Sequence, residues 1–277
     1  MIGASALVAF GFAIGLMGSA LGVGGGVFMV PFLVLVLDIP MHQAVAVSLA
    51  AIAAASSAAA SVNVERGLAN MRLGVVFEIT MALGSVLSAL AASHMPARAV
   101  QLIFALVLFP VSGMMFMKSR RAFGAGRENA CAQSRQGEGK FDAVFFDPSL
   151  GVRRSYSVKN ILPGSMLSFF GGCLSGLMGL GGGIVQVPAM TLLCGVPMKA
   201  AAATSNFMIG VSAAASAFVY YRKGYMPAEL AAVAVIGVLL GSFLGMYALY
   251  RARSEKIQMA FSALIFLVAV KMLAASV

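Results

Sequence analysis

An all-α integral membrane protein made of two homologous repeats of transmembrane helices, with glycine-broken helices, is the fold class this sequence predicts. Three observations predict it: an apolar composition, ten apolar runs punctuated by charge, and a glycine and proline pattern that recurs at one fixed offset. Of 277 residues, 61% are hydrophobic and 10% charged, and the mean hydropathy is +0.96. Soluble domains average about 45–50% apolar and about 25% charged residues, so water is not the main solvent here. A spanning helix takes about 20 mostly apolar residues, so the length holds roughly eight to ten spans and no large extramembrane domain.

The formal charge of +10 could suggest nucleic acid, but the lysines and arginines sit at the ends of apolar runs and in one central loop. Charges flanking membrane spans explain them without a nucleic-acid partner. Cys131, Cys173 and Cys194 form neither a disulfide framework nor a metal-ligand pattern. Met1 to Ser5 place no basic residue ahead of the first apolar stretch, which therefore reads as a membrane helix rather than a cleaved signal.

The elements follow in order. Residues 2–22 and 27–37 are nearly continuous, yet as one straight helix residues 2–37 would run about 54 Å, against a hydrocarbon core of about 30 Å. The segment must break or fold back, and Gly22, Gly24, Gly25 and Gly26 with Pro31 mark the place. Runs at 44–63, 71–93 and 98–117 complete a first transmembrane repeat, 1–117. From Lys118 to Lys159 the chain carries nine basic and four acidic residues, so 118–160 reads as a polar linker on the cytoplasmic side. Within it Phe141 to Phe146 and Arg153 to Val158 suit short strands about a turn at Asp147 to Gly151. Runs at 161–179, 184–194, 200–221, 227–250 and 255–275 form a second repeat, 161–277. Its break falls at Gly179 to Gly183, with Pro188 following.

The two halves share a register. Gly24-Gly25-Gly26 recurs as Gly181-Gly182-Gly183, an offset of 157 residues. The same offset carries Gly15 to Gly172, Gly22 to Gly179, Pro31 to Pro188, Pro40-Met41 to Pro197-Met198, Ser48 to Ser205 and Gly84-Ser85 to Gly241-Ser242. An odd number of crossings per repeat would invert the second half about an in-plane pseudo-two-fold axis. Inversion puts Arg66, Arg72, Lys199, Arg251, Arg253 and Lys256 on the linker side and Arg98, Arg222, Lys223 and Lys271 opposite. Parallel repeats would divide these charges evenly, so positive-inside bias favours inversion slightly.

Irregular backbone at membrane depth survives only where protein or a watery cavity satisfies it, so two breaks imply an internal cavity. Each break also frees the first amides of the helix that follows, and with the positive dipole end these form an anion site needing no charged side chain. Discontinuous helices at matched positions point to a transporter's substrate site. The competing explanation is close helix packing at small residues. Neither cluster has the lysine of a phosphate-binding loop.

Candidate substrate ligands are the amides at Gly24, Gly25, Gly26, Gly181, Gly182 and Gly183, with the side chains of Ser48, Gln186, Thr204, Ser205 and Asn206 as donors. The competing role for the hydroxyls is bonding to neighbouring helices or the preceding turn. Gln186 matches Met29 by repeat, so any site is asymmetric. Ser56, Ser57, Ser61 and Asn63 read as packing contacts. Glu78, inside a span, is a candidate for proton coupling, although it lies close enough to a helix end to reach interfacial water. His42 and Lys199 match just beyond the prolines and suit either anion guidance or interfacial snorkelling. No cofactor, metal or catalytic residue is indicated, since two histidines and scattered acids supply no nucleophile with its base.

Gly22-Val23-Gly24-Gly25-Gly26 with Pro31, Pro40 and Ala46-Val47-Ser48 resembles the signature of the sulfite exporter TauE/SafE family of membrane permeases. Gly179-Leu180-Gly181-Gly182-Gly183 with Pro188, Pro197 and Ala203-Thr204-Ser205 resembles it more closely. The resemblance implies secondary transport, as an exporter, of a small sulfur-containing oxyanion such as sulfite or an organosulfonate across a bacterial inner membrane. An anion channel, or a carrier for a non-sulfur organic anion, is the alternative. The first copy departs from the pattern, with Val47-Ser48-Leu49 where the second has Thr204-Ser205-Asn206.

Overall fold

The computed structural model describes residues 2–22, 24–104, 106–107, 141–147 and 152–251. Its elements are α1 (Ile2–Leu21), α2 (Gly26–Leu35), α3 (Met41–Glu65), α4 (Met71–Ala92), α5 (97–104), β1 (Ala143–Asp147), β2 (Val152–Tyr156), α6 (Ile161–Met178), α7 (Gly183–Leu192), α8 (Met198–Arg222) and α9 (Ala228–Arg251). Among the described residues five helices are long and apolar enough to cross a membrane: α3, α4, α6, α8 and α9. Three shorter apolar helices lie over Ser5–Ser19, Gly26–Leu35 and Gly183–Leu192. The expected runs beyond residue 107 and at 255–275, most of the linker, and the hairpin turn lie outside the described residues.

Helices α3 and α8 start three and two residues earlier than hydropathy suggests. Pro40 and Pro197 take extended conformations as N-caps, so Met41 and Met198 begin the helices. His42, Gln43 and Lys199 stand in the first turns, where they are half-buried, and His42 Nε2 lies 3.1 Å from Ala92 O. Pro31 and Pro188 do not mark the breaks; each lies inside its short helix, and the chain turns at the glycines before it. The strands are shorter than expected and pair antiparallel, with Phe146 opposite Arg153. Phe141 and Asp142 fall outside β1, where Phe141 O accepts from Asn70 Nδ2 and Asp142 Oδ1 accepts from Val158 N.

Helices α3 and α8 form the centre. Ala44 to Val47 and Ala200 to Ala203 are buried there, because small side chains let backbones approach where no water drives association. Around them α4, α6 and α9 expose Ile79, Leu83, Phe170 and Phe243, the lipid-facing surface. Val8, Phe12 and Leu16 lie in that order against Gly237, Gly241 and Gly245, so α1 runs parallel to α9. The contacts 157 residues away repeat this: Phe169 lies against Gly84, and Met81 and Ser85 against Gly172 and Gly176, making α6 parallel to α4.

Helix directions follow from a few further contacts. Gly74 meets Thr204 and Phe207, and Ser85 Oγ donates to Ser212 O, so α4 is parallel to α8. Tight turns at Gly67 and Gly224 reverse the chain between α3 and α4 and between α8 and α9, closed by Leu68 N to Asn63 O and Tyr225 N to Tyr220 O. Hence α1, α3 and α9 point one way and α4, α6 and α8 the other. Phe10 stacks on Phe32 at 3.7 Å and Gly25 abuts Ile14, so α2 folds back along α1. Likewise Gly182 and Val185 abut Gly171, and α7 folds back along α6.

Two sets of contacts define the two ends of the bundle. At one end Asn70 caps α4 by accepting from Leu73 N, its own amide donates to Thr204 Oγ1, and its Nδ2 holds Phe141 of the linker. Lys159 N bonds Cys194 O there, and buried Tyr156, whose phenol is pushed up by burial against the lowering effect of its bond with Asn70, seals the hairpin. At the other end Lys223 Nζ lies 3.2 Å from His94 Nε2, and His42 stacks on Tyr225.

Candidate functional site

The site is built from the two places where a helix stops in mid-bundle and a short one begins. After α1 the chain passes Gly22 and Gly24, and Gly25, at φ +78, caps α2; after α6 it passes Gly179 and Gly181, and Gly182, at φ +67, caps α7. A left-handed backbone costs an L-residue about 1–2 kcal/mol, so glycine is required at both caps. Space is equally restrictive. A Cβ on Gly182 would meet Gly171 O and the Met81 methyl, and one on Gly25 the Ile14 side chain.

The two breaks touch. Gly26 lies against Gly179 O, and Gly24 sits between Ile52 of α3 and Ile209 of α8. Helices α2 and α7 run in opposite directions, and each begins at one of the two touching breaks with the positive end of its dipole. Phe28 and Met29 are the first amides of α2 to bond Gly25 O, and Val185 and Gln186 the first of α7 to bond Gly182 O. The amides of Gly26, Val27, Gly183 and Ile184 precede those bonds, as the opening turn of any helix requires.

The candidate side chains divide into two groups. Ser48 Oγ donates to Gly179 O at 2.9 Å, and Ser205 Oγ donates to Gly22 O at 3.0 Å, so each hydroxyl reaches across to the other half's break. Thr204 Oγ1 donates to Ala200 O at 2.7 Å while accepting from Asn70 N. A hydroxyl has one proton, and in this arrangement Ser48, Thr204 and Ser205 spend theirs on backbone carbonyls, the second of the two roles their positions allow. The remaining two keep donors. Asn206 Nδ2 spends one hydrogen on Ser19 O at 3.4 Å and its Oδ1 has no partner. Gln186 is fully buried with neither amide atom bonded.

Glu78 is also buried, with both carboxyl oxygens unpartnered, so it does not reach interfacial water. Among the described residues it is the one acidic or basic side chain away from a helix end; Arg66, Arg72, Arg98, Lys199, Arg222, Lys223 and Glu229 all lie at ends or turns. Asn63, which sequence reasoning assigned to packing, has a buried amide with no partner. An asparagine in an alanine-rich helix was the available signal. No cluster of three or more metal-ligating side chains occurs among the described residues.

The model of the family described as Sulfite exporter TauE/SafE matches residues 7–272. A protein of Bacillus subtilis (strain 168), named "Probable membrane transporter protein YunE", is 26% identical over 247 residues, covering 86% of each chain. Two Arabidopsis thaliana proteins, "Sulfite exporter TauE/SafE family protein 6" and "Sulfite exporter TauE/SafE family protein 5", are each 33% identical. Those matches run over 96 and 105 residues, or 35% and 38% of this chain and 22% and 23% of theirs. No solved structure matches the chain.

Proposed function

We propose, from the premise that this chain belongs to the sulfite exporter TauE/SafE family and is a multi-pass membrane transporter, that it is a secondary carrier exporting a small sulfur-containing oxyanion. The observation that carries this reading is the contact of the two breaks, Gly26 against Gly179 O, with a short helix starting at each break, at Gly26 and at Gly183, and no described lysine or arginine within the spans beside them. Four opening amides and two positive dipole ends favour an anion. Gln186 and Asn206 add neutral donors. Such a site holds an oxyanion by hydrogen bonds and partial charges alone, loosely enough for release. An arginine fork would bind it more tightly.

The same reading makes the two halves inverted repeats about an axis in the membrane plane. Its support is that elements 157 residues apart point in opposite directions, α1 against α6, α3 against α8, and α4 against α9. The reciprocal bonds of Ser48 and Ser205 have the same symmetry. Arg66, Arg72 and Lys199 then share the linker face, which the positive-inside rule makes cytoplasmic.

The test is a calorimetric screen of sulfite, thiosulfate, sulfate, methanesulfonate and simple carboxylates on purified protein, followed by counterflow in proteoliposomes. A sulfur oxyanion should bind and show saturable counterflow. Non-saturating flux without counterflow would make the protein a channel, and binding of carboxylates alone would overturn the substrate class.

A further inference from the structure

A seam between α4 and α7 carries buried polar atoms that the packing does not need. Both oxygens of Glu78 and both amide atoms of Gln186 are buried without partners. Met81 of α4 abuts Gly182, the cap of α7. Glu78 precedes Met81 by three residues and shares its helix face; Gln186 follows Gly182 by four and shares its face. Because α4 and α7 run in opposite directions, both side chains lie about one turn from that contact toward the linker end. Toward the linker end the Phe77 ring and Cys194 Sγ both reach Gly164 of α6, the helix against which both α4 and α7 pack. The Cβ tilt of a helix leans Gln186 back over Gly182 and Gly183, where the opening amides of α7 lie.

At the repeat-related positions, 157 residues away, Glu78 corresponds to Val235 of the second half and Gln186 to Met29 of the first; Met29 is buried in the core and Val235 packs against it. The equivalent seam therefore closes with apolar side chains. Retaining a carboxyl and a carboxamide in its place sacrifices hydration with no hydrogen bond in return. Ionisable groups on the neighbouring elements lie elsewhere. Helix α7 has none; α6 has Cys173, level with Gly84 and more than a turn beyond Glu78; α8 has Lys199, Tyr220, Tyr221 and Arg222 in its end turns; α5 has Arg98 in its first turn. No cation faces the Glu78 carboxyl from these elements.

We propose that Glu78 and Gln186 form a proton-binding pair that couples proton movement to occupation of the α7 N-terminus by an anion. The two side chains are not bonded to each other in this arrangement; once they turn toward each other with the proton in place, the Glu78 carboxyl donates to Gln186 Oε1, which leaves Gln186 Nε2 to donate toward an anion at Gly183 and Ile184. When the proton leaves to water, the carboxylate and the anion are like charges in a low-dielectric seam and repel. Anion binding therefore favours the protonated acid, and by linkage protonation favours anion binding by the same factor, so the two move together. The coupling rests on the transporter reading above; the pair itself does not.

The experiment is infrared difference spectroscopy across a pH titration of the full chain in lipid, comparing wild type with Glu78→Gln and Gln186→Met, the latter taking the residue of the other half. The expected result is a protonated-carboxyl stretching band that vanishes in Glu78→Gln and moves to the higher frequency of an unbonded acid in Gln186→Met. No such band lost in Glu78→Gln, or one unmoved in Gln186→Met, would overturn the pair. Thiosulfate and methanesulfonate, whose own charge is constant over the range, should each raise the pH of half-titration by about one unit, a tenfold coupling. A band that titrates identically with bound anion overturns the coupling. If neither anion binds wild type in calorimetry, the transporter reading falls and the coupling with it, while the pair is still decided by its band.

Discussion

Replacing Ser48 or Ser205 with alanine separates the two roles a central hydroxyl can play. Each substitution removes the donor to a carbonyl at the opposite break, Gly179 O for Ser48 and Gly22 O for Ser205. Both serines are fully buried, so water does not replace the lost partner. A stranded buried acceptor costs about 1–3 kcal/mol in soluble proteins. Hydrogen bonds between membrane helices average about 0.6 kcal/mol, because the unfolded chain in lipid also finds partners. Each single variant should therefore lose about 1 kcal/mol of unfolding free energy, and the two losses should match, since each bond joins a fully buried serine of a central helix to a carbonyl at the opposite break. Reversible unfolding in mixed micelles measures this, and calorimetry with the anion selected by the screen measures affinity, which should change little. The reasoning fails if both variants stay within about 0.5 kcal/mol of wild type, the scatter of neutral substitutions, while anion affinity drops tenfold, about 1.4 kcal/mol. The hydroxyls would then face the ligand and not the carbonyls.

Gly67→Ala and Gly224→Ala place a methyl in open space at left-handed φ, so each should cost about 1–2 kcal/mol of stability. Gly26→Ala drives its methyl into Gly179 O and should lose more in the same melts or prevent accumulation of folded protein; equal losses would mean that the two breaks do not touch. Asn70→Asp keeps the acceptor that caps α4 but loses the Nδ2 donor to Phe141 O, so amide exchange should quicken in β1 and β2 while α4 stays protected. In a cysteine-free background, single cysteines at positions 66 and 223 should label from opposite membrane faces; labelling from one face would refute the inverted arrangement. Neutralising Lys199 or Arg222, both in end turns of α8, should lower transport rate or its salt sensitivity and leave anion affinity within twofold.

The sequence by itself determined what depends on local chemistry. Apolar runs bounded by charge specify membrane helices because burial in lipid acts on each segment separately, and α4 and α6 end within one residue of the expected bounds. Gly25 and Gly182 were legible as turning points because left-handed backbone is a property of single residues. Pairing was decided only by the tertiary structure. Ser48 and Gly179 stand 131 residues apart, and Ser205 and Gly22 stand 183 apart, so no local pattern reveals that these hydroxyl protons are already spent. Thr204 likewise reads as a ligand until Asn70 and Ala200 take up its oxygen. Glu78 lies eight residues into α4, and whether it meets water or a sealed seam depends on the helices that cover it. Hydrogen-bond satisfaction is a property of the folded neighbourhood, and among the candidate site residues it leaves Gln186, Asn206 and Glu78 with capacity to spare.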